Sequence, residues 1–110
     1  MPFMLRPYRR FPVQCLVTYS TGPFIGIGTV WNLSMSGYRF SGDLPLRVGE
    51  PCTLTVTLPN EQHITVAEAV VRWARENEFG VETSTIDNHA ENRLRHYVQR
   101  LVNEPSAIVP

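Results

Sequence analysis

The chain predicts a mainly β domain, a six-stranded antiparallel β-barrel followed by one C-terminal α-helix. Three observations predict it. Apolar and polar residues alternate through most of residues 12–83, which is the period of half-buried strands. The breaks between these runs are of hairpin length, which favours antiparallel pairing and closure into a barrel. From Asp87 onward the period lengthens to that of an amphipathic helix. At 110 residues the chain has room for one hydrophobic core.

The elements follow in order. Residues 1–10 have no period and contain Pro2 and Pro7, so a flexible or ligand-ordered tail is expected there. Val13, Cys15, Val17 and Tyr19 share one face of a first strand over 12–20. Ser20-Thr21-Gly22-Pro23 is a turn. The second strand covers 24–32, where Gly26 and Gly28 share a parity and imply a bend or a close backbone approach. Trp31, with parity opposite to Asn32, is expected in the core. Leu33 to Ser36 reads as a turn and Gly37 to Ser41 as a third strand. The fourth, over 51–58, is the clearest: Cys52, Leu54, Val56 and Leu58 face one way and Thr53, Thr55 and Thr57 the other. Pro59-Asn60-Glu61 turns the chain into a long fifth strand over 62–75. Its apolar parity runs through Ile64 and Val66, then through Ala69, Val71 and Trp73. The slip near Ala67-Glu68 implies a β-bulge. Glu76-Asn77 leads to a sixth strand over 78–83. Ala90, Leu94, Tyr97, Val98 and Leu101 form the helix stripe, with Asn88 and Glu91 spaced as a capping box and Asp87 as the rival N-cap. The stripe must be buried on the barrel or on a second subunit, which would make a homodimer. The domain therefore spans 11–103, between the tail of residues 1–10 and a fraying end over 104–110.

Composition limits the function classes. There is no apolar run long enough to span a membrane, and MPFMLRPYRRF lacks the apolar centre of a secretory signal. A cytoplasmic protein without membrane insertion is expected. Cys15 and Cys52 lack metal-ligand spacing and read as two buried, reduced thiols. His63, His89 and His96 show no metal spacing either, so no metal is expected. No nucleophile with a base, and no paired carboxylates, are evident, so the chain is not expected to be an enzyme. Net charge is zero, yet unevenly placed: all ten basic residues are arginines, four of them (Arg6, Arg9, Arg10, Arg39) in the first 42 residues, which hold no acid. That is too narrow for duplex nucleic acid and suits a small anion. A barrel for single-stranded nucleic acid would need aromatics interleaved with basic residues along the strands; threonines and acids stand there instead.

Two segments stand out chemically. Arg6-Pro-Tyr-Arg9-Arg10 offers guanidinium forks that match phosphates or the O6 and N7 acceptors of guanine, and whose flat faces can stack on a purine. Asn32-Leu-Ser34-Met-Ser-Gly37 sits at a strand-turn-strand corner. Asn32 offers a donor and an acceptor, Ser34 a hydroxyl, and Gly37 room for a flat base to approach the backbone. Each also has a plainer reading: an arginine-rich end is commonly a solvated tail, and Asn-x-Ser-x-x-Gly is commonly a turn closed by its own side chains.

With RPYRR before FPV, the corner NLSMSG one hairpin later, WARENEFGVE near the end and a closing helix, the chain resembles the PilZ domain, a bacterial receptor module for cyclic di-GMP. The resemblance covers nearly the whole chain and implies a six-stranded barrel with a C-terminal helix. It implies that Arg6 and Arg10 grip guanine edges and phosphates, with Arg9 as an extra phosphate contact. Asn32 and Ser34 would contact a guanine from the barrel surface, and Gly37 would permit its approach. Apart from the resemblance, the place of Trp73 at the end of the fifth strand leaves three readings: stacking on a guanine near the corner, packing in the core, or packing at the barrel rim. Where the family often has aspartate, Asn32 keeps an acceptor without the charge. Leu5, rather than a third arginine, precedes Arg6, which implies one ligand molecule instead of a stacked pair. The function expected is a second-messenger receptor in motility or biofilm signalling: the tail closes on cyclic di-GMP and a downstream protein reads the new surface. The alternative is a protein-interaction module of the same fold that docks to motility or type IV pilus machinery without the dinucleotide.

Overall fold

In a computed structural model, residues 11–103 are described, and six strands and one helix follow the predicted order. The strands are β1 (Phe11–Thr21), β2 (Phe24–Leu33), β3 (Gly37–Gly42), β4 (Pro51–Thr57), β5 (His63–Arg75) and β6 (Glu78–Thr85), and the helix is α1 (Asn88–Asn103). They close into one antiparallel barrel in the order β1-β2-β3-β6-β5-β4. Closure satisfies the backbone of every strand from both sides and leaves no open sheet edge.

Alternation explains the interior. Cys15, Val17 and Tyr19 of β1, Leu54 and Val56 of β4, Ile64 and Val66 of β5, and Phe79 of β6 are all buried in one core. Each large apolar side chain so buried contributes about 1.5–3 kcal/mol. Tyr19, Phe40 and Phe79 form its aromatic centre, with tilted rings and centroids 4.8–6.3 Å apart. Tyr19 carries a polar tip into this core and satisfies it locally. Its hydroxyl donates to the Leu44 carbonyl and accepts from the Leu44 N–H, both at 2.7 Å. Room for the ring comes from Gly26, its partner across the β1–β2 pair, where an added Cβ would stand 2.7 Å from the ring. At Gly28 an added Cβ would overlap the Ser41 carbonyl. The close approach expected at these glycines is therefore present at both.

The slip near Ala67-Glu68 is a bulge, as expected: the pairing of β5 shifts register there against both β4 and β6. Three further slips were not legible: β1 shifts register against β2 between Pro12 and Cys15, and two others bear on the outer face. β2 shifts register against β3 between Val30 and Asn32, and β5 shifts against β6 between Val71 and Trp73. The core placement of Trp31 is overturned: it follows the inward Val30 and shares the outward parity of Ile25, Ile27 and Thr29, and the slip then brings Asn32 out beside it. Trp31 is 38% exposed with its indole N–H donated to Ser41 Oγ at 2.9 Å.

The helix settles two open points. Asp87, not Asn88, is the N-cap: its carboxylate accepts the Ala90 N–H at 2.8 Å. The apolar stripe packs on the barrel of its own chain, where Ala90 and Leu94 join the core, Tyr97 reaches the Cys15 thiol, and Arg93 Nε donates to the His63 carbonyl at 3.1 Å. Both cysteines are buried and unpaired. Burial pushes the Cys15 thiol up, and the Cys52 thiol to about 11, with the Glu50 carboxylate adding to the latter.

Two outcomes are expected. Tyr19→Phe leaves the Leu44 amide and carbonyl without their partner and should lower stability by about 2 kcal/mol in urea unfolding. The raised thiol pKa values make folding favour the neutral form. Stability should be unaffected below the ordinary thiol value of 9 and should fall as the pH rises from there towards 11 at Cys52, a trend that alkaline thermal scans would read.

Candidate functional site

The corner between β2 and β3 is built largely by its own side chains. Ser34 is 1% exposed. Its Oγ accepts the N–H groups of Ser36 and Gly37, both at 3.2 Å, while the Ser34 N–H donates to the Gly37 carbonyl at 3.0 Å. These bonds satisfy a tight turn that would otherwise leave amides unpaired in a buried setting. Gly37 is required by the sheet itself, since an added Cβ would stand 2.6 Å from the Val81 carbonyl of the neighbouring β6. Ser34 and Gly37 thus have structural work at the corner. Asn32 differs: it is half-buried, and its side chain makes no hydrogen bond among the described residues. Its amide is left to meet something else.

Strand pairing carries this position across the outside of the barrel. Asn32 lies opposite Arg39, Arg39 opposite Gly80, and Gly80 opposite Trp73. The row joins residues separated by about forty positions in sequence. Trp73 belongs to it because of the bulge beside it. With the inward parity expected from Ala69 and Val71 it would enter the core; the slip turns both Arg72 and Trp73 outward, and Trp73 is 38% exposed. Its indole lies against the backbone of Gly80, so closely that an added Cβ there would overlap the ring nitrogen. The result is a flat aromatic surface resting on the sheet.

Two shallow recesses flank this indole. One, of about 210 Å³, is lined by Ser36, Gly37, Arg72, Trp73, Gly80 and Glu82. The other, of about 400 Å³, is lined by Arg39, Trp73, Ala74, Arg75 and Glu78. Their cations are largely balanced. Arg39 pairs with Glu78 at 3.0 Å and Arg72 with Glu82 at 2.7 Å. Three arginines against two glutamates leave one surplus positive charge on this wall. The wall suits an uncharged flat ring better than it suits a phosphate.

Beneath the corner, the hydroxyls of Tyr38 and Thr83 are buried, and neither has a hydrogen-bond partner of good geometry among the described residues. Burial pushes the Tyr38 phenol well above its ordinary range, with the Thr83 hydroxyl opposing this in part.

Arg6, Arg9 and Arg10 lie outside the described residues. The strand they lead into is described: Phe11 pairs with Leu33 and Pro12 with Asn32. The chain therefore enters the barrel beside the Asn32 corner. Of the expected site residues, Asn32, Gly37 and Trp73 border one outer face, and Ser34 is buried directly behind it. Arg39, Arg72, Arg75 and Gly80 were not expected at the site. The outward parity that Arg39 shares with Gly37 was a usable signal; the β3–β6 pairing that makes Gly80 a neighbour of both Arg39 and Trp73 was not visible in the sequence.

A family model for the PilZ domain matches residues 4–100. Among solved structures, the chain is similar to the Bacillus subtilis inhibitor of motility MotI/DgrA, with a TM-score of 0.77 and 24% identity over 93% of this chain and 54% of that one. It thus spans about half the length of MotI/DgrA. It is also similar to the PilZ domain of CeSA from a cellulose synthesizing bacterium, with a TM-score of 0.66 and 20% identity over 84% of this chain and 97% of that one. At these identities the likeness is one of fold. No curated protein matches the sequence.

The indole platform can be checked without any ligand. In a Trp31→Phe background, Gly80→Ala should lift the Trp73 ring, red-shift its emission and raise its acrylamide quenching about twofold as water reaches it. Unchanged emission would show that the ring does not rest on Gly80.

Proposed function

The chain belongs to the PilZ domain family, and from that premise we propose that it is a cyclic di-GMP receptor that signals to a downstream protein. PilZ domains are receptor and adaptor modules rather than enzymes. One observation carries the reading: the strand that the arginine tail leads into is paired at Pro12 with Asn32, which begins the outer row ending in Trp73.

The division of labour follows from charge and shape. The barrel wall offers the Asn32 amide for a guanine edge and the Trp73 face for stacking, which is worth about 1–3 kcal/mol per base. Its own cations are mostly engaged by Glu78 and Glu82. A cyclic dinucleotide carries two phosphate charges, so Arg6, Arg10 and Arg9 are assigned to these and to the guanine N7 and O6 acceptors. Ser34 holds the corner in shape, and Gly37 lets the base approach β3. One open recess, of about 210 Å³, is below and the other, of about 400 Å³, is at the low end of the roughly 300–1,000 Å³ that well-formed sites enclose; the tail is assigned the role of the missing wall. Ligand closure of residues 1–10 over the barrel then creates the surface a partner reads. We place the protein in the cytoplasm, where the dinucleotide is made and sensed. A motility output is the first to test, because the fold is shared with an inhibitor of motility.

Calorimetric titration of cyclic di-GMP tests the assignment. Wild type should bind one dinucleotide per chain. Arg10→Ala and Asn32→Ala should each weaken binding by about tenfold or more, the loss of one charge-assisted or buried hydrogen bond. Ser34→Ala should lower the melting temperature as well as the affinity, because its hydroxyl closes the turn. Unchanged affinity in both Arg10→Ala and Asn32→Ala would remove the site; no binding to wild type would remove the receptor reading altogether.

A further inference from the structure

The outward side of β2 is apolar along most of its length. Ile25, Ile27, Thr29 and Trp31 alternate outward, with Ile25 76% exposed and Ile27 about half exposed. Leu16 of β1, half exposed and paired with Thr29, widens this ridge. No charged side chain occurs between Phe11 and Tyr38, so the ridge bears no charge of its own. β2 is paired to β1 along its length and to β3 from Gly28 to Leu33, with Ile27 bonded to Asp43 just beyond. No strand can add beside Thr29 and Trp31, and whatever covers the ridge there must do so through side chains. Contiguous exposed apolar surface of this kind marks a contact site.

The ridge ends where the tail begins. Pro12 pairs with Asn32, next to Trp31, and ten residues precede Phe11. The first five of these, Met1-Pro2-Phe3-Met4-Leu5, carry only apolar side chains. At about 3.4 Å per extended residue, Leu5 can lie up to about 20 Å from Phe11, and Met1 about 34 Å. Along β2, Trp31 stands two positions from Leu33 and Ile27 stands six, which is about 7 and 20 Å. The apolar pentapeptide can therefore cover Trp31, Leu16 and Ile27 while Arg6 to Arg10 bridge the Asn32 corner.

We propose that residues 1–5 dock through Phe3, Met4 and Leu5 on the β2 ridge, so that the arginine segment is held at both ends. A second copy of the chain is the competing occupant. The pentapeptide is favoured because its tether holds it near the ridge at an effective concentration of about millimolar, whereas a second copy must give up its translational and rotational freedom.

The test uses the full chain without dinucleotide, in a Trp73→Phe background so that Trp31 alone reports. Phe3→Ser combined with Leu5→Ser should raise acrylamide quenching of Trp31 about twofold, since the apolar cover that keeps water from the ring is lost. The difference should not depend on protein concentration, and the melting temperature should confirm a folded barrel. Equal quenching in the variant and its parent overturns the proposal. Quenching in the parent that weakens as concentration rises, with a dimer in sedimentation, assigns the ridge to a second copy and also overturns it. Because no dinucleotide is present, either result is independent of the receptor reading, which calorimetry tests separately.

Discussion

A strand has two sides, and one extra residue exchanges them. The outer face of this barrel depends on that constraint at two places. The bulge at Trp31 brings the Asn32 amide out beside an indole that already shares the outward parity of Ile25, Ile27 and Thr29. The bulge near Arg72 turns Trp73 outward on β5. Without that slip the Trp73 ring would be directed at an interior already filled by Tyr19, Phe40 and Phe79. The two bulges therefore keep one amide and one indole out of the core and furnish its outer wall in the same step. They stand at opposite ends of one cross-strand row, and Gly80 within that row gives the Trp73 indole a floor.

The corner joining this row to the tail shows why a short motif can carry several demands. Ser34 and Gly37 are explained by the turn and the sheet before any ligand is considered: one hydroxyl accepts two amides, and one missing Cβ lets β3 meet the Val81 carbonyl. Asn32 has no such local employment among the described residues. The motif is thus two parts scaffold and one part presentation, and a substitution at Ser34 or Gly37 acts on the shape in which Asn32 is offered.

What was legible follows from the range of each signal. β4 alternates without a break, and Cys52, Leu54, Val56 and Leu58 are all inside. The bulge at Ala67-Glu68 was legible because apolar residues stand on both sides of the slip to reveal the change of phase. At Trp73 the residue that breaks phase is itself apolar, so simple alternation places it inside, and only pairing partners reveal the error. At Trp31 the inward parity of Gly26, Gly28 and Val30 is carried largely by glycine, so the apolar ring was read as the inward residue when it lies on the outward parity. The N-cap was ambiguous because Asp87 and Asn88 are both good caps; the bond from the Ala90 amide decides it. The candidate corner was legible at Asn32, Ser34 and Gly37 as a turn between two strands, because they share one short segment. The candidate site was not legible at Arg39 and Gly80, which meet Trp73 only through barrel closure between β3, β6 and β5.

The cost of ordering the tail decides how such a receptor can work. Fixing the backbone of ten residues costs about 10–20 kcal/mol. Three arginines making one charge-assisted hydrogen bond each return about 5–9 kcal/mol. A tail ordered entirely by the dinucleotide would therefore consume more than those contacts supply. Were residues 1–5 docked on Trp31, Leu16 and Ile27 as proposed, the ligand would have to order only Arg6 to Arg10, at about 5–10 kcal/mol, and the two sides would come near balance. Base stacking on Trp73 and the Asn32 amide then provide the surplus that appears as affinity. In this arrangement the apolar ridge on β2 sets how readily the arginines close, although it touches neither base nor phosphate, and changes at Phe3 or Leu5 reach the ligand through the entropy of the segment between them.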